Sequence, residues 1–237
     1  MSVRMRHLLA GCMLAVTVAG VLQARVGTRK PAAEDGEFVI FFGAREIGSE
    51  KFAIQAAAES VTSSSVLEFR NPATPGQKVR METKLEMNGD YVPRSYLLKT
   101  DVDGVRGSIT GSFAPNQVMF DFEGKGTNRR SGLLLPSRYT MLDSNIYHHF
   151  IFLVRLFDFD SREKTQRFEV LVPQEDDSGV LKVSELRRAE MELRGKKREV
   201  RVLQAASDAL QLQLWVDKDG VLQKISAPSK GLEVVRR

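Results

Sequence analysis

From residue 37 onward, apolar and polar side chains alternate in short runs, punctuated by Gly, Asn, Asp and Pro. Alternation with a period of two puts one set of side chains on each face of a strand. The clearest case is 78–87, where Val79, Met81, Thr83, Leu85 and Met87 share one face and Arg80, Glu82, Lys84 and Glu86 the other. In the second half, Leu210, Leu212, Leu214 and Val216 alternate with Gln211, Gln213 and Trp215. Similar runs predict strands at 37–42, 50–56, 61–70, 91–101, 105–113, 118–123, 167–172, 180–185, 187–194, 198–205, 221–227 and 231–235. Between them stand turn residues: Gly48-Ser49, the loop 71–77, Asn88-Gly89-Asp90, Asp103-Gly104, a polar loop at 124–131, an acidic turn at 174–179 and Asp217 to Gly220. Pro93 should sit at an edge or a bulge, because proline cannot donate to a ladder. Strands and turns follow one another without a fixed repeat, which points to an antiparallel all-β fold and away from a propeller or solenoid.

One stretch breaks the pattern. In residues 143–160, Ile146, Tyr147, Phe150, Val154 and Phe157 recur at helical spacing, and Ile151, Phe152 and Leu153 make the segment apolar nearly all round. A fully buried strand is the rival reading, since Phe, Ile and Val favour strands. Length without Gly or Pro selects a helix at about 144–157, with Asp143 or Ser144 as N-cap and Arg155 off the main apolar face. The expected fold is therefore mainly β, a curved antiparallel sheet or half-barrel wrapped on one central helix.

The N-terminus adds a compartment. Arg4 and Arg6 precede an uncharged run from residue 8 to 22, and Gln23-Ala24 offers a small residue before a cut between Ala24 and Arg25. These are the parts of a secretory signal peptide, with an apolar run short of the ~20 residues a spanning helix needs. The expected organisation is a signal peptide at 1–24, a flexible leader at 25–36 and one β-rich domain at 37–237, with lobes at 37–142 and 143–237 as a subdivision. Export puts the protein in the periplasm or outside the cell. Leu9-Ala10-Gly11-Cys12 resembles a lipobox, which would make Cys12 a lipidation site and the protein an anchored lipoprotein. Its position early in the apolar run favours an unmodified Cys12 lost with the signal. Since Cys12 is the sole cysteine, the exported chain has no disulfide, which fits a bacterial envelope. Cleavage removes two arginines and no acid, so the formal charge falls from +5 to +3. That excess, with a basic cluster at 194–198 that has no interleaved aromatic, reads as a solvated hairpin turn and excludes nucleic acid as the expected partner.

Motifs for chemistry are sparse. Asp101-Val102-Asp103-Gly104 and Asp217-Lys218-Asp219-Gly220 lack the third oxygen ligand and the distant acid of a calcium loop, so turn geometry accounts for them and no metal site is assigned. His148 and His149 are the histidines beyond His7. As helical neighbours they point about 100° apart. Either could serve as an acid–base group beside Asp143, Asp158 or Asp160, but Gly107-Ser108-Ile109-Thr110-Gly111 holds Ile where a nucleophile elbow needs Ser. Without a nucleophile, a surface or cap-adjacent role is expected for both, and no catalytic residue or cofactor is assigned. Trp215 should lie on the sheet face opposite the leucine row, where it could line a ligand groove, cover an edge or pack under the helix.

The segment from Asp143-Ser144 through Tyr147 to Arg155, followed by Leu214-Trp215-Val216-Asp217 and its hairpin, resembles a family of exported bacterial β-rich proteins of unknown function. Phe42-Gly43, Ile47-Gly48, Phe52 and Gly89-Asp90-Tyr91-Val92-Pro93 are similar to the same group, although Asp217-Lys218-Asp219 departs from the adjacent acidic pair expected there. The resemblance implies a half-barrel like those of periplasmic carriers of lipids or lipoproteins. On that basis the expected function is a non-enzymatic envelope carrier or scaffold, membrane-peripheral at most, binding an apolar, lipid-like ligand through Tyr147, Phe150, Val154 and Trp215. The partner would be a lipid, a lipoprotein or another envelope protein. The alternatives are a protein-interaction or structural envelope module, and a hydrolase or lyase using His148 or His149.

Overall fold

The computed structural model describes residues 32–237 except Arg194 and Ala209. The signal peptide, the Ala24–Arg25 cleavage site, Cys12 and most of the expected leader lie outside the described residues. Eight strands run in chain order, each antiparallel to the one before: β1 (Glu34–Phe42), β2 (Arg45–Ala56), β3 (Ser60–Arg70), β4 (Lys78–Asn88), β5 (Pro93–Val102), β6 (Val105–Ala114), β7 (Gln117–Gly124) and β8 (Thr127–Leu134). A two-residue β9 (Thr140–Met141) precedes α1 (His149–Leu156) and pairs parallel with β10 (Thr165–Val172). A second meander then runs back through β11 (Asp177–Leu193), β12 (Lys196–Ala206), β13 (Gln211–Asp217), β14 (Leu222–Ala227) and β15 (Leu232–Arg236). The first and last strands pair antiparallel, from Phe38 opposite Arg236 to Phe42 opposite Leu232. Both halves of the chain thus belong to one 15-stranded sheet in the order β8 to β1, then β15 to β9.

The sheet is open, and its edges are β8 and β9. Residues 135–139 connect them, so the two edges stay within roughly 20 Å of each other at that end. Arg129 of β8 forms an ion pair with Asp176, beyond β10, across the same gap. Large twisted sheets curl in this way because the strand-to-strand rotation accumulates.

Alternation decides the inner face. On β4 the predicted row Val79, Met81, Thr83, Leu85 and Met87 is buried, and on β13 so are Leu212, Leu214 and Val216. Pro93 opens β5 beside a register shift at Glu86/Met87, as its missing N–H requires.

Several expectations need correction. Gly48-Ser49 is no breaker: both lie within β2, where Gly48 lets β3 approach so closely that a Cβ would sit 2.1 Å from the Glu68 carbonyl oxygen. Strand β1 starts at Glu34, so 34–36 are ladder and not leader. The polar loop at 124–131 is mostly β8, an edge strand whose exposure tolerates polar side chains, and the turn is confined to Lys125 and Gly126 (φ 77°). The separate strands at 180–185 and 187–194 are one, β11, bulged between Glu185 and Arg187 where Leu186 is extra. The helix is shorter than 144–157: it runs from His149 to Leu156, and Asn145, at a left-handed φ of 63°, cannot belong to it. Among the described residues no helix is long and apolar enough to cross a membrane.

Candidate functional site

Every α1 residue except Arg155 is buried. Asp143 and Ser144 are not the cap. The helix begins at the fully buried His148, whose side chain caps nothing. The free N–H groups of Tyr147 and His148 instead donate to Glu50 Oε2 on β2, at 2.9 and 3.0 Å. Glu50 is on the inward register with Phe52 and Ile54, and it too is fully buried. Its carboxylate thus does from across the sheet what a local cap does elsewhere. The other oxygen lies 2.6 Å from His148 Nδ1. A carboxylate accepts, so Nδ1 carries the proton, and Nε2, 3.3 Å from Ser63 Oγ on β3, is left to accept from the hydroxyl. The His148 ring also stacks on Phe52 at 5.8 Å.

The structure therefore supplies the nucleophile-type hydroxyl that no sequence motif revealed. Ser63, His148 and Glu50 stand in the order of a hydrolase triad. All three are 0 % exposed, so of the two roles expected for the histidines, on the surface or beside the helix cap, His148 takes the second and is itself the N-cap residue. His149 is buried as well, between the rings of His148 (4.6 Å), Phe152 and Tyr96, and neither ring nitrogen has a hydrogen-bond partner. Burial, and then the neighbouring His148, push its pKa well below the ordinary histidine range.

Asp143 ties the two sides of the gap together. Its carboxylate accepts from Ser144 N–H and Gln174 N–H, both at 3.0 Å, and from the hydroxyl of Tyr96 on β5. Burial raises the Asp143 pKa to about 6, against the opposing pull of those bonds. Tyr96 is pushed well above its usual range by burial and then by the Asp143 charge.

Arg155 is the one α1 residue among those lining a cleft of about 1350 Å³. Its Nη2 donates to Glu34 Oε2 at 2.5 Å, and Arg236 holds the other Glu34 oxygen. Helix, first strand and last strand thus meet at one Arg–Glu–Arg group. Around it stand Met191, Leu193, Val221 and Val235, all half-buried, with the exposed Lys196, Lys197 and Arg198 of the β11–β12 hairpin among the other lining residues.

Of the four residues expected to bind a ligand, three lie in one core cluster and Trp215 lies apart from them. Tyr147, Phe150 and Val154 are at most 8 % exposed and belong to the core. Trp215 is on the opposite face of β13, as expected, and is half-buried there. Arg187 and Lys224 flank its ring at 5.1 and 5.3 Å. At the acidic turns, Asp217 accepts from the N–H groups of Asp219 and Val221, and Asp101 from that of Gly104, which is Asx-turn chemistry. Glu50, Ser63, Glu34 and Arg236 were missed. One signal was available for Glu50: a charged residue in the apolar register of Phe52 and Ile54 announces a buried charge that needs partners.

Fold and site together define a barrel-like, open antiparallel β protein with one buried helix and a buried polar line beneath it. No protein-family model matches the sequence, and no curated protein matches it either. Among solved structures, the chain is similar to the β-barrel-like protein of the domain of unknown function DUF1849 from Brucella abortus, with a TM-score of 0.59 at 12 % identity over 88 % of this chain and 95 % of that one. A DUF1089 family protein from Pseudomonas aeruginosa gives a TM-score of 0.44 at 11 % identity, over 73 % of this chain and 86 % of that one. The likeness to the Brucella abortus protein bears out, at the level of the fold, the expected resemblance to bacterial β-rich proteins of unknown function.

Proposed function

We propose that the protein is an exported cell-envelope protein that acts by binding, as a carrier or scaffold, with its curved sheet wrapped on α1. The observation that carries this reading is the open cleft beside Arg155, Glu34 and Arg236, large enough for a small molecule and lined by both apolar and charged groups. The interior is set aside as the ligand site because Tyr147, Phe150 and Val154 are already packed. Catalysis is set aside because a substrate would have to reach Ser63, His148 and Glu50 through a closed core. The ligand in this reading is lipid-like and enters at the end of the barrel.

Native mass spectrometry of the protein purified from an envelope fraction tests this. A mass beginning at Arg25 with an amphiphile released on denaturation is the expected result. A bare protein that takes up no amphiphile on incubation would refute it. The second reading, a protein-interaction module, rests on the unpaired edge of β8, where Leu134 is 83 % exposed.

A further inference from the structure

We infer that the Arg155–Glu34–Arg236 group recognises the anionic head, a carboxylate or a phosphate, of an amphiphile whose chain lies along Met191, Leu193, Val221 and Val235. This rests on the carrier reading and adds the ligand's charge and orientation to it. Two guanidinium groups share one carboxylate, so the group keeps one positive charge in excess at a half-buried position. Arg155 also donates to the Tyr91 hydroxyl at 3.5 Å, and Arg236 to the Asp35 carbonyl at 2.9 Å. Each guanidinium carries five N–H donors, and these bonds engage fewer than half of them.

Both arginines are held in place. Arg155 lies over the Tyr91 ring at 5.9 Å and Arg236 over Phe52 at 5.3 Å. A planar donor fork fixed in this way suits the paired oxygens of a carboxylate or phosphate. Five acids line the cleft, Glu34, Glu192, Glu199, Asp217 and Asp219, against seven basic residues, so the lining stays net positive. Asp217 is engaged by its own turn and by Gln223, and Glu199 pairs with Arg188. Exposed Lys196, Lys197 and Arg198 add positive charge near the entrance, while Arg237 is offset by Glu37. The four half-buried apolar side chains give a hydrocarbon chain somewhere to leave water, at ~25 cal/mol per Å² of apolar surface covered.

Calorimetric titration of the purified protein with dodecanoate, dodecyl phosphate, dodecanol and inorganic phosphate, each below micelle formation, tests the inference. The two anionic amphiphiles should bind roughly tenfold or more tightly than dodecanol, about 1.4 kcal/mol, with inorganic phosphate weaker than dodecyl phosphate. Arg236→Gln should abolish the preference while dodecanol still binds. If that variant fails to fold, Leu193→Glu at the cleft wall should weaken all three chain-bearing probes. Equal affinity for dodecanoate and dodecanol would overturn the anion site and leave the carrier reading standing. Failure of every chain-bearing probe would overturn both. Inorganic phosphate binding as tightly as dodecyl phosphate would overturn the amphiphile.

Discussion

Removing the Glu50 carboxylate tests the central packing of the molecule. In Glu50→Ala, the N–H groups of Tyr147 and His148 and the His148 ring N–H lose their acceptor inside a closed core. Buried donors left unpaired cost roughly 1–3 kcal/mol each, offset in part because a desolvated carboxylate is no longer buried. With three donors orphaned and part of that cost returned, the expected loss is about 3–5 kcal/mol. Against a typical total of ~5–15 kcal/mol it would bring the protein close to unfolding. Glu50→Gln keeps one oxygen for the backbone donors and should cost about 1–2 kcal/mol. Urea unfolding followed by the fluorescence of Trp215, the sole tryptophan, and by far-ultraviolet circular dichroism measures both. A Glu50→Ala protein within about 1 kcal/mol of wild type, with an unchanged denaturant slope, would refute the claim that this carboxylate holds the start of α1.

The neighbouring histidine should respond in the opposite direction. His149→Leu removes two buried ring nitrogens that have no partner, so stability at pH 8 should hold or rise by ~1 kcal/mol. Because the folded His149 pKa is depressed, the native state binds fewer protons and wild type loses stability as pH falls below about 6.5; His149→Leu should lack that loss, and equal pH profiles for the two proteins would argue against it. Asp143 has the reverse sign: its folded pKa is raised from 3.8 to about 6, so the native state binds more protons and stability declines as pH rises from ~4 to ~6. Asp143→Asn should remove that decline, worth up to roughly 3 kcal/mol, in the difference between the two urea profiles. Gly48→Ala places a methyl against the β3 backbone and should cost at least ~2 kcal/mol by thermal or urea unfolding; a change under about 0.5 kcal/mol would mean that β2 and β3 are not so close.

Local pattern was enough for the strands and for the presence of a helix. Alternation at 78–87 named the inward row of β4, and the Leu212, Leu214 and Val216 row named that of β13, because side chains on a strand alternate whatever lies beyond it. The apolar character of 146–157 likewise announced burial. Edges and ends were less legible. A polar edge strand such as β8 has the composition of a loop, since one side of it faces water. Gly48 has the composition of a turn, and only the approach of β3 explains it.

The site was decided elsewhere. Glu50 and His148 are nearly a hundred residues apart, and Glu34 and Arg236 about two hundred, so no spacing along the chain could join them. They meet because the first and last strands pair in the middle of the sheet and the curl brings β2 and β3 under the start of α1. Sequence by itself determined which residues leave water, a property each segment carries alone. Tertiary structure decided which polar groups left with them and which partners they found, because a buried charge is satisfied by whatever the fold brings within hydrogen-bond reach.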